Sequence, residues 1–163
     1  DPAGRLVITA DAFSNAADCL MRRFERTMPA CHDRVVMLPR LEVHDYLELI
    51  ATADVLLDPL HFGGMNTTYD ALSFGKPIVT LPSAYHRGRH TLGCYRQIGL
   101  LDCVAENAEQ YVDTAVALGT DEAYRREVQS ELLRASEALF EDNRSIVEHQ
   151  WLFQGLIDDA RSR

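Results

Sequence analysis

Several common classes are excluded by what this chain has little of. Basic residues are outnumbered, 16 against 25 acidic ones, giving a formal net charge of −9. That balance argues against the broad positive surface that a nucleic-acid backbone demands, so no nucleic-acid partner is expected, although a local anion pocket stays open. The four cysteines, Cys19, Cys31, Cys94 and Cys103, form neither a CxxC pair nor a dense framework. Free thiols in a reducing compartment fit better than disulfides or zinc, and a cytoplasmic protein is expected. No run approaches the roughly 18 apolar residues of a membrane helix, and no basic stretch followed by an apolar one stands at the N-terminus. Neither a Walker loop nor GxGxxG is present, so the chain has no phosphate fingerprint of high specificity. The opening residues, DPAGR, contain no Met, which leads us to expect a piece of a longer polypeptide.

What the chain does have is alternation. The runs "RLVITAD" (5–11), "RVVML" (34–38), "DVLLD" (54–58) and "PIVTLP" (77–82) are short, β-branched and bounded by polar residues or Pro. They read as strands buried on both faces, the signature of a parallel sheet. Helix candidates lie between and after them at 15–28, 43–53, 66–74 and 88–98. In the first of these, Leu20, Phe24 and Met28 recur every four residues. This order predicts βαβ crossovers and an α/β fold with a Rossmann-like, doubly wound parallel sheet. The last third is helical. Asn107 and Gln110 resemble a capping box for a helix over 107–118 that Gly119 stops. Tyr124, Val128, Leu132, Ala135 and Leu139 form a second stripe, and 144–157 a third. With 163 residues and no linker or repeat, residues 1–163 read as a single domain.

The stretch with most chemistry is "FGGMNTTYDALSFGKP" (62–77). A strand ending at Asp58, a loop with Gly63 and Gly64, and a helix starting near Asn66 place it at the C-terminal edge of a parallel sheet, where open α/β sheets bind ligands. Free amides and the positive end of a helix dipole favour an anion there, and glycines allow a close approach. Diphosphate is the natural candidate. Asn66, Thr67 and Thr68 add polar donors, and Asp70, one turn inside the helix, is placed to accept hydrogen bonds from sugar hydroxyls. The same residues also read as an ordinary turn and helix start, with Asn66 as N-cap and Asp70 complementing the dipole. On these residues alone both readings stand.

The longer span "RVVMLPRLEVHDYLELIATADVLLDPLHFGGMNTTYDALSFGKPIVTLP" resembles the donor-binding half of O-GlcNAc transferases and SPINDLY-like glycosyltransferases. The order strand, "LP", a helix ending in "ADV", "LDPL", a glycine loop, "TT", an acidic residue with "AL", and "G-P-VTLP" is kept without a gap. The resemblance continues through "GLLDCVAENAEQYVDTAVALGTD" and covers about residues 34–140. It implies one half of a GT-B fold, in which two Rossmann-like domains face a cleft, with the other half N-terminal to this chain. It also implies transfer of a sugar, GlcNAc or glucose, from UDP to a protein hydroxyl without a metal or other cofactor. The chain alone would turn over little or nothing. By the same resemblance Asp70 holds the ribose hydroxyls and Asn66 and Thr67 lie at the diphosphate. Tyr46 packs on the uracil, and the Leu41 backbone reads the base edge. Gly64, Met65 and Thr68 complete the donor site. Met65 stands where animal members carry His, Asn66 replaces a Thr, and a Lys that the family aims at the diphosphate has no match. Two alternatives are a sugar-nucleotide epimerase of the same architecture and a non-catalytic α/β binding module.

Other polar groups have simpler readings. His86 and His90 share an i, i+4 spacing, but Gly88 lies between them and no third metal ligand suggests itself. Arg87 and Arg89 read as surface charges entering a helix, with attraction of a phosphate as the alternative. His61 sits in the glycine loop, within reach of a sugar. Glu42, His44 and Asp45 read as a solvated helix start, and the Glu/Arg mixture of 122–134 as a solvated face. Tyr46, without the resemblance, reads as a helix residue packing on its own sheet. Trp151 and Phe153 in the last helix either pack on the sheet or belong to an interface with the N-terminal half.

Overall fold

The computed structural model describes residues 2–10 and 14–162. Its elements run β1 (Leu6–Thr9), α1 (Ser14–Thr27), β2 (Val35–Leu38), α2 (Val43–Thr52), β3 (Leu56–Leu57), α3 (Asn66–Ser73), β4 (Ile78–Val79), α4 (His90–Ile98), α5 (Ala108–Thr120), α6 (Glu122–Ala135) and α7 (Arg144–Arg161). Single 3-10 turns stand at His32–Arg34, His86–Gly88 and Ser136–Leu139. Each of the four short β-branched runs contains a strand, although Asp11, at the end of the first run, lies outside the described residues. β1 pairs in parallel with β2, with Leu6 opposite Val35 and Thr9 opposite Leu38. β3 pairs in parallel with β4, with Leu56 opposite Ile78, and a parallel bridge from Thr80 to Val104 extends this second pair. Parallel neighbours cannot be joined by a tight turn. α1 and α3 supply the crossovers.

The four strands were expected to be buried on both faces, and only β4 is. Ile78 and Val79 are buried, whereas β1 alternates, with Leu6 and Ile8 half-buried and Val7 and Thr9 exposed. Among the described residues the strands form two hydrogen-bonded pairs rather than one ladder. β1 has one covered face, and its side chains follow the two-residue period of a half-buried strand. The core lies around β4, where Ile50, Leu72, Ile78, Val79, Tyr95, Leu118 and Leu132 pack together. This core holds the edge of the second pair in place.

A buried phenol closes the outer side of β4. The Tyr95 hydroxyl donates to the Ile78 carbonyl and accepts from the Ile78 N–H, both at 2.9 Å. A strand edge in the core leaves backbone groups that must find partners, and one side chain here satisfies two. Burial pushes the Tyr95 phenol well above its ordinary pKa, with Cys103 adding to the shift, so it stays protonated and able to donate. Basic side chains serve helix C-termini in the same way. Lys76 Nζ donates to the Ala53 carbonyl after α2 at 3.0 Å. Arg125 donates to the Leu118 carbonyl in α5 at 2.7 Å and pairs with Asp54 at 3.1 Å. Arg125 is thus drawn out of the solvated face expected for residues 122–134.

Helix ends follow the local chemistry with two shifts. Asn107 accepts the Gln110 N–H at 2.9 Å, as a capping residue should. Gln110 reaches back to the Glu106 N–H at 2.8 Å, one residue before the amide that a standard box uses. Gly119 does not stop α5, which runs to Thr120. The stop comes from Asp121, which leaves helical geometry and caps α6 by accepting the Tyr124 N–H at 3.0 Å. α4 starts at His90 instead of residue 88 because a 3-10 turn takes up His86–Gly88. It ends at Gly99, whose φ of 77° is the left-handed geometry that glycine adopts without strain. No residue of α7 is buried, and Trp151 is 71% exposed. Of the two readings of that helix, packing on the sheet is not what the described residues show.

Replacing Tyr95 by Phe strands both the N–H and the C=O of Ile78 in the core. Loss of about 1–3 kcal/mol is expected for a buried polar group left without a partner. Urea unfolding of the Tyr95→Phe variant measures it, and a change within about 0.5 kcal/mol would show that the phenol is dispensable.

Candidate functional site

The site is built outward from Asp58, the residue that follows β3. Its carboxylate is turned inward, with the residue only 5% exposed. One oxygen accepts the Gly64 N–H at 2.7 Å and the other the Thr80 hydroxyl at 2.7 Å. Its carbonyl accepts the Tyr111 hydroxyl from α5 at 3.0 Å, and its own N–H donates to the Val79 carbonyl at 2.9 Å. A carboxylate withdrawn from water is tolerated only when such bonds replace its hydration. The loop between β3 and α3 is thereby drawn back over the end of the strand pair.

That geometry explains the two glycines. A Cβ on Gly63 would stand 3.0 and 3.1 Å from the Asp58 carboxylate oxygens. A Cβ on Gly64 would lie 2.6 Å from Thr67 Oγ1 and 2.9 Å from Thr68 Oγ1, closer than real contacts allow. Neither residue has a positive φ. The glycines are required in the first place by the protein's own packing. Two loop amides are also spent internally, since Gly64 donates to Asp58 and Gly63 to the Arg87 carbonyl at 2.8 Å.

Among the described residues, amides without a partner lie in the loop at Leu60, His61 and Phe62 and at the start of α3. Met65, not Asn66, occupies the N-cap position, with φ −126° and ψ −83°, and its side chain makes no capping hydrogen bond. Asn66 is the first helical residue. Among the described residues the backbone N–H groups of Met65, Asn66 and Thr67 have no hydrogen-bond partner. Such an uncapped start keeps its donors and its partial positive charge free for an anion. Met65, Asn66 and Thr67 are exposed there. Thr68 is not. It is buried, and its hydroxyl is hydrogen-bonded to that of Thr91 in α4 at 3.0 Å.

Asp70 lies one turn further in, half-buried, and its carboxylate takes no hydrogen bond among the described residues. Packing of α2 on α3 brings Tyr46 close to it. Partial burial, and then the Asp70 charge, raise the Tyr46 phenol above its ordinary pKa. Tyr46 also packs against the core, as a plain helix residue would. Leu41 is half-buried in the segment that joins β2 to α2. The structure thus gathers Gly64, Met65, Asn66, Thr67 and Asp70 along one end of α3 with Tyr46 beside Asp70, and turns Thr68 inward.

Sequence reasoning did not single out Asp58, Thr80 and Tyr111 as parts of this site, and it weighed Arg87 chiefly as a surface charge. Asp58 carried one signal, an acidic residue at the end of an otherwise apolar strand. Arg87 Nε donates to the His61 carbonyl at 3.1 Å, and its guanidinium lies 4.7 Å from the centre of the Tyr85 ring. His61 is exposed and enters the site through its backbone. The His86 and His90 rings meet edge to face at 4.4 Å. His44, Asp45 and Glu48 bring ligand-type atoms within 4.8 Å of one another, but all three are exposed, in keeping with a solvated helix start. Among the described residues, no helix is long and apolar enough to cross a membrane.

A parallel α/β unit whose strand edge carries a tethered glycine loop, an uncapped helix and a free carboxylate has the kind of edge at which open α/β sheets bind ligands. The comparisons narrow this class. The family model described as glycosyl transferase family 41 matches residues 8–148, and the chain belongs to that family. It is 28% identical over 124 residues to the tomato protein (Solanum lycopersicum) named probable UDP-N-acetylglucosamine–peptide N-acetylglucosaminyltransferase SPINDLY. It is 30% identical over 124 residues to the Arabidopsis thaliana protein of the same name. Each alignment covers 74% of this chain and 13% of the relative. A solved O-GlcNAc transferase mutant from Thermobaculum terrenum superimposes with a TM-score of 0.76 at 29% identity. That match covers 96% of this chain and 29% of the solved one. The expected α/β fold of one GT-B half agrees with this superposition.

Two outcomes follow from the Asp58 tether. Asp58→Ala leaves the Gly64 amide and the Thr80 hydroxyl unpaired and should cost about 1–3 kcal/mol per stranded group in chemical denaturation. Gly64→Ala should cost about 1–3 kcal/mol through overpacking against Thr67 and Thr68. A third concerns pH. Burial, and then the Asp58 charge, push the Tyr111 phenol up to about 12, above the ordinary value of about 10. The folded state therefore holds this proton more tightly than the unfolded state does. Its contribution to stability is complete below about pH 10 and is lost as pH rises towards 12. Tyr111→Phe should make the alkaline fall in melting temperature shallower, with a remainder due to Tyr95 and Cys103, which are also raised.

Proposed function

We propose that the mouth after Asp58 holds the diphosphate of a UDP-sugar, and that this chain is the donor-binding half of a transferase that moves the sugar to a protein hydroxyl. One observation carries the reading. The unpartnered amides of Met65, Asn66 and Thr67 and the uncommitted carboxylate of Asp70 lie one helical turn apart on α3, at the C-terminal edge of a parallel strand pair. Amides and a helix N-terminus suit a diphosphate, and a carboxylate suits a pair of ribose hydroxyls. Family membership supports sugar transfer, and the names of the tomato and Arabidopsis relatives support UDP-N-acetylglucosamine and peptide as donor and acceptor. The chain spans about 13% of those relatives. The complete reaction therefore needs residues beyond it, including a facing N-terminal half, in a protein that we place in the cytoplasm.

In this reading the donor site includes Gly64, Met65, Asn66, Thr67 and Asp70, with Tyr46 beside the base and the Leu41 backbone at its edge. Thr68 acts from inside, through its bond to Thr91. As the sugar–phosphate bond breaks, negative charge grows on the departing diphosphate. Donors already aligned before the reaction stabilise that charge without reorganising. No proton has to be supplied to the diphosphate by these residues, and no metal is required by the proposal.

Calorimetry with UDP and the full-length protein tests the reading. Binding should survive EDTA, and uridine should bind more weakly than UDP because it lacks the diphosphate. Asp70→Ala should weaken UDP by about 1–3 kcal/mol, roughly 5- to 150-fold, as expected for a lost charged acceptor. No UDP binding by the natural protein, or equal affinity in the Asp70→Ala variant, would remove the site from its assigned role.

A further inference from the structure

The loop over residues 59–65 is held from two sides. On its inner side the Asp58 carboxylate takes the Gly64 N–H. On its outer side a single residue makes both contacts. Arg87 accepts the Gly63 N–H with its carbonyl at 2.8 Å and donates from Nε to the His61 carbonyl at 3.1 Å. One residue thus brackets Phe62, and the loop backbone cannot shift there without breaking a bond to it.

Arg87 is itself braced. Its guanidinium lies over the Tyr85 ring at 4.7 Å. The turn that presents it is closed by Gly88 N–H donating to the Tyr85 carbonyl at 3.0 Å and Ser83 N–H donating to the Gly88 carbonyl at 3.1 Å. Gly88 is buried, and a Cβ there would run into Ser83 Oγ. The strap over residues 83–89 is therefore a closed turn packed against the loop. Nε is used in the bond to His61, while the two terminal nitrogens of Arg87 take no hydrogen bond among the described residues.

We infer that Arg87 is a positioning residue for the donor site: it pins the outer side of the glycine loop at His61 and Gly63 so that the amides of Met65, Asn66 and Thr67 stay aimed at one point. This rests on the reading of that loop as a diphosphate cradle. Amides that must converge on one anion lose affinity when their loop samples other positions, because the ordering cost then falls on the binding step. Among the described residues Asp58 holds the loop at Gly64, and the segment 59–63 has its hydrogen-bonded restraint from Arg87.

The test uses the full-length protein with UDP as the probe, read by calorimetry and by amide hydrogen exchange. Arg87→Ala removes the Nε bond and the stacking on Tyr85 while leaving the backbone bond to Gly63 possible. Affinity for UDP should fall about 2- to 12-fold, the range of one net hydrogen bond. In the ligand-free protein, exchange should quicken at the hydrogen-bonded amides of Gly63 and Gly64 and stay unchanged around Tyr95. Arg87→Lys, which can still donate to the His61 carbonyl, should recover part of both effects. If Arg87→Ala binds UDP as the natural protein does, or loses affinity with no change in exchange at Gly63 and Gly64, the positioning role is overturned. If the natural protein binds no UDP, the functional reading itself fails and this inference with it.

Discussion

Asp58 ends a strand of the core with its carboxylate facing inward, held at 2.7 Å by the Gly64 amide and at 2.7 Å by the Thr80 hydroxyl. These two bonds join three pieces of chain that meet only after folding, namely the end of β3, the loop before α3 and the residue after β4. A buried carboxyl group in this position needs both partners in place of the water it gives up. Its retention therefore dictates the course of the loop, which comes close enough that a Cβ at Gly63 would crowd the carboxylate oxygens at 3.0 and 3.1 Å. The direction of α3 follows from that course. So does the placement of its free amides at the strand edge.

The polarity of this arrangement matters for a protein of net charge −9. A phosphorylated ligand gains nothing from the overall field of such a chain, and any attraction has to be local. Backbone amides and a helix N-terminus supply it without adding a cation, and they act over roughly one helical turn. Asp70 is one turn inside the same helix, where an anion would repel a phosphate placed too deep. Its carboxylate suits hydroxyl donors instead. Free amides at the mouth and a carboxylate behind them suit a ligand with an anionic end and a hydroxyl-bearing end.

Rigidity is distributed unevenly around this feature. β4 is fully buried and its outer edge is closed by Tyr95, while β1 keeps one open face and α7 buries none of its residues. The strand edge with the free amides thus rests on the best-packed part of the described residues. Loops built on such a base keep their geometry at little cost, and the Arg87 strap extends the same restraint to a segment that would otherwise be exposed backbone.

Local rules were enough to read the order of strands and helices, the crossovers and the position of the glycine loop at a sheet edge, because hydrophobic period, turn residues and capping groups act over a few neighbours. They marked Asp70 as a candidate, while Tyr46 entered only through the family resemblance; the packing of α2 on α3 brings the two close together. Local rules misjudged Gly119, since a helix continues through glycine when Asp121, two positions on, offers a better end. They could not tell that Thr68 turns inward to Thr91, 23 positions away, or that Arg87 grips a loop 26 positions before it. Nor could they reveal that Asp58 is spent on Thr80 and Gly64. The amino-acid order by itself determined which segments are strands, helices and turns. Only the tertiary structure decided which polar groups are consumed by the protein and which are left for a ligand, because a hydrogen bond depends on distance in space and not along the chain.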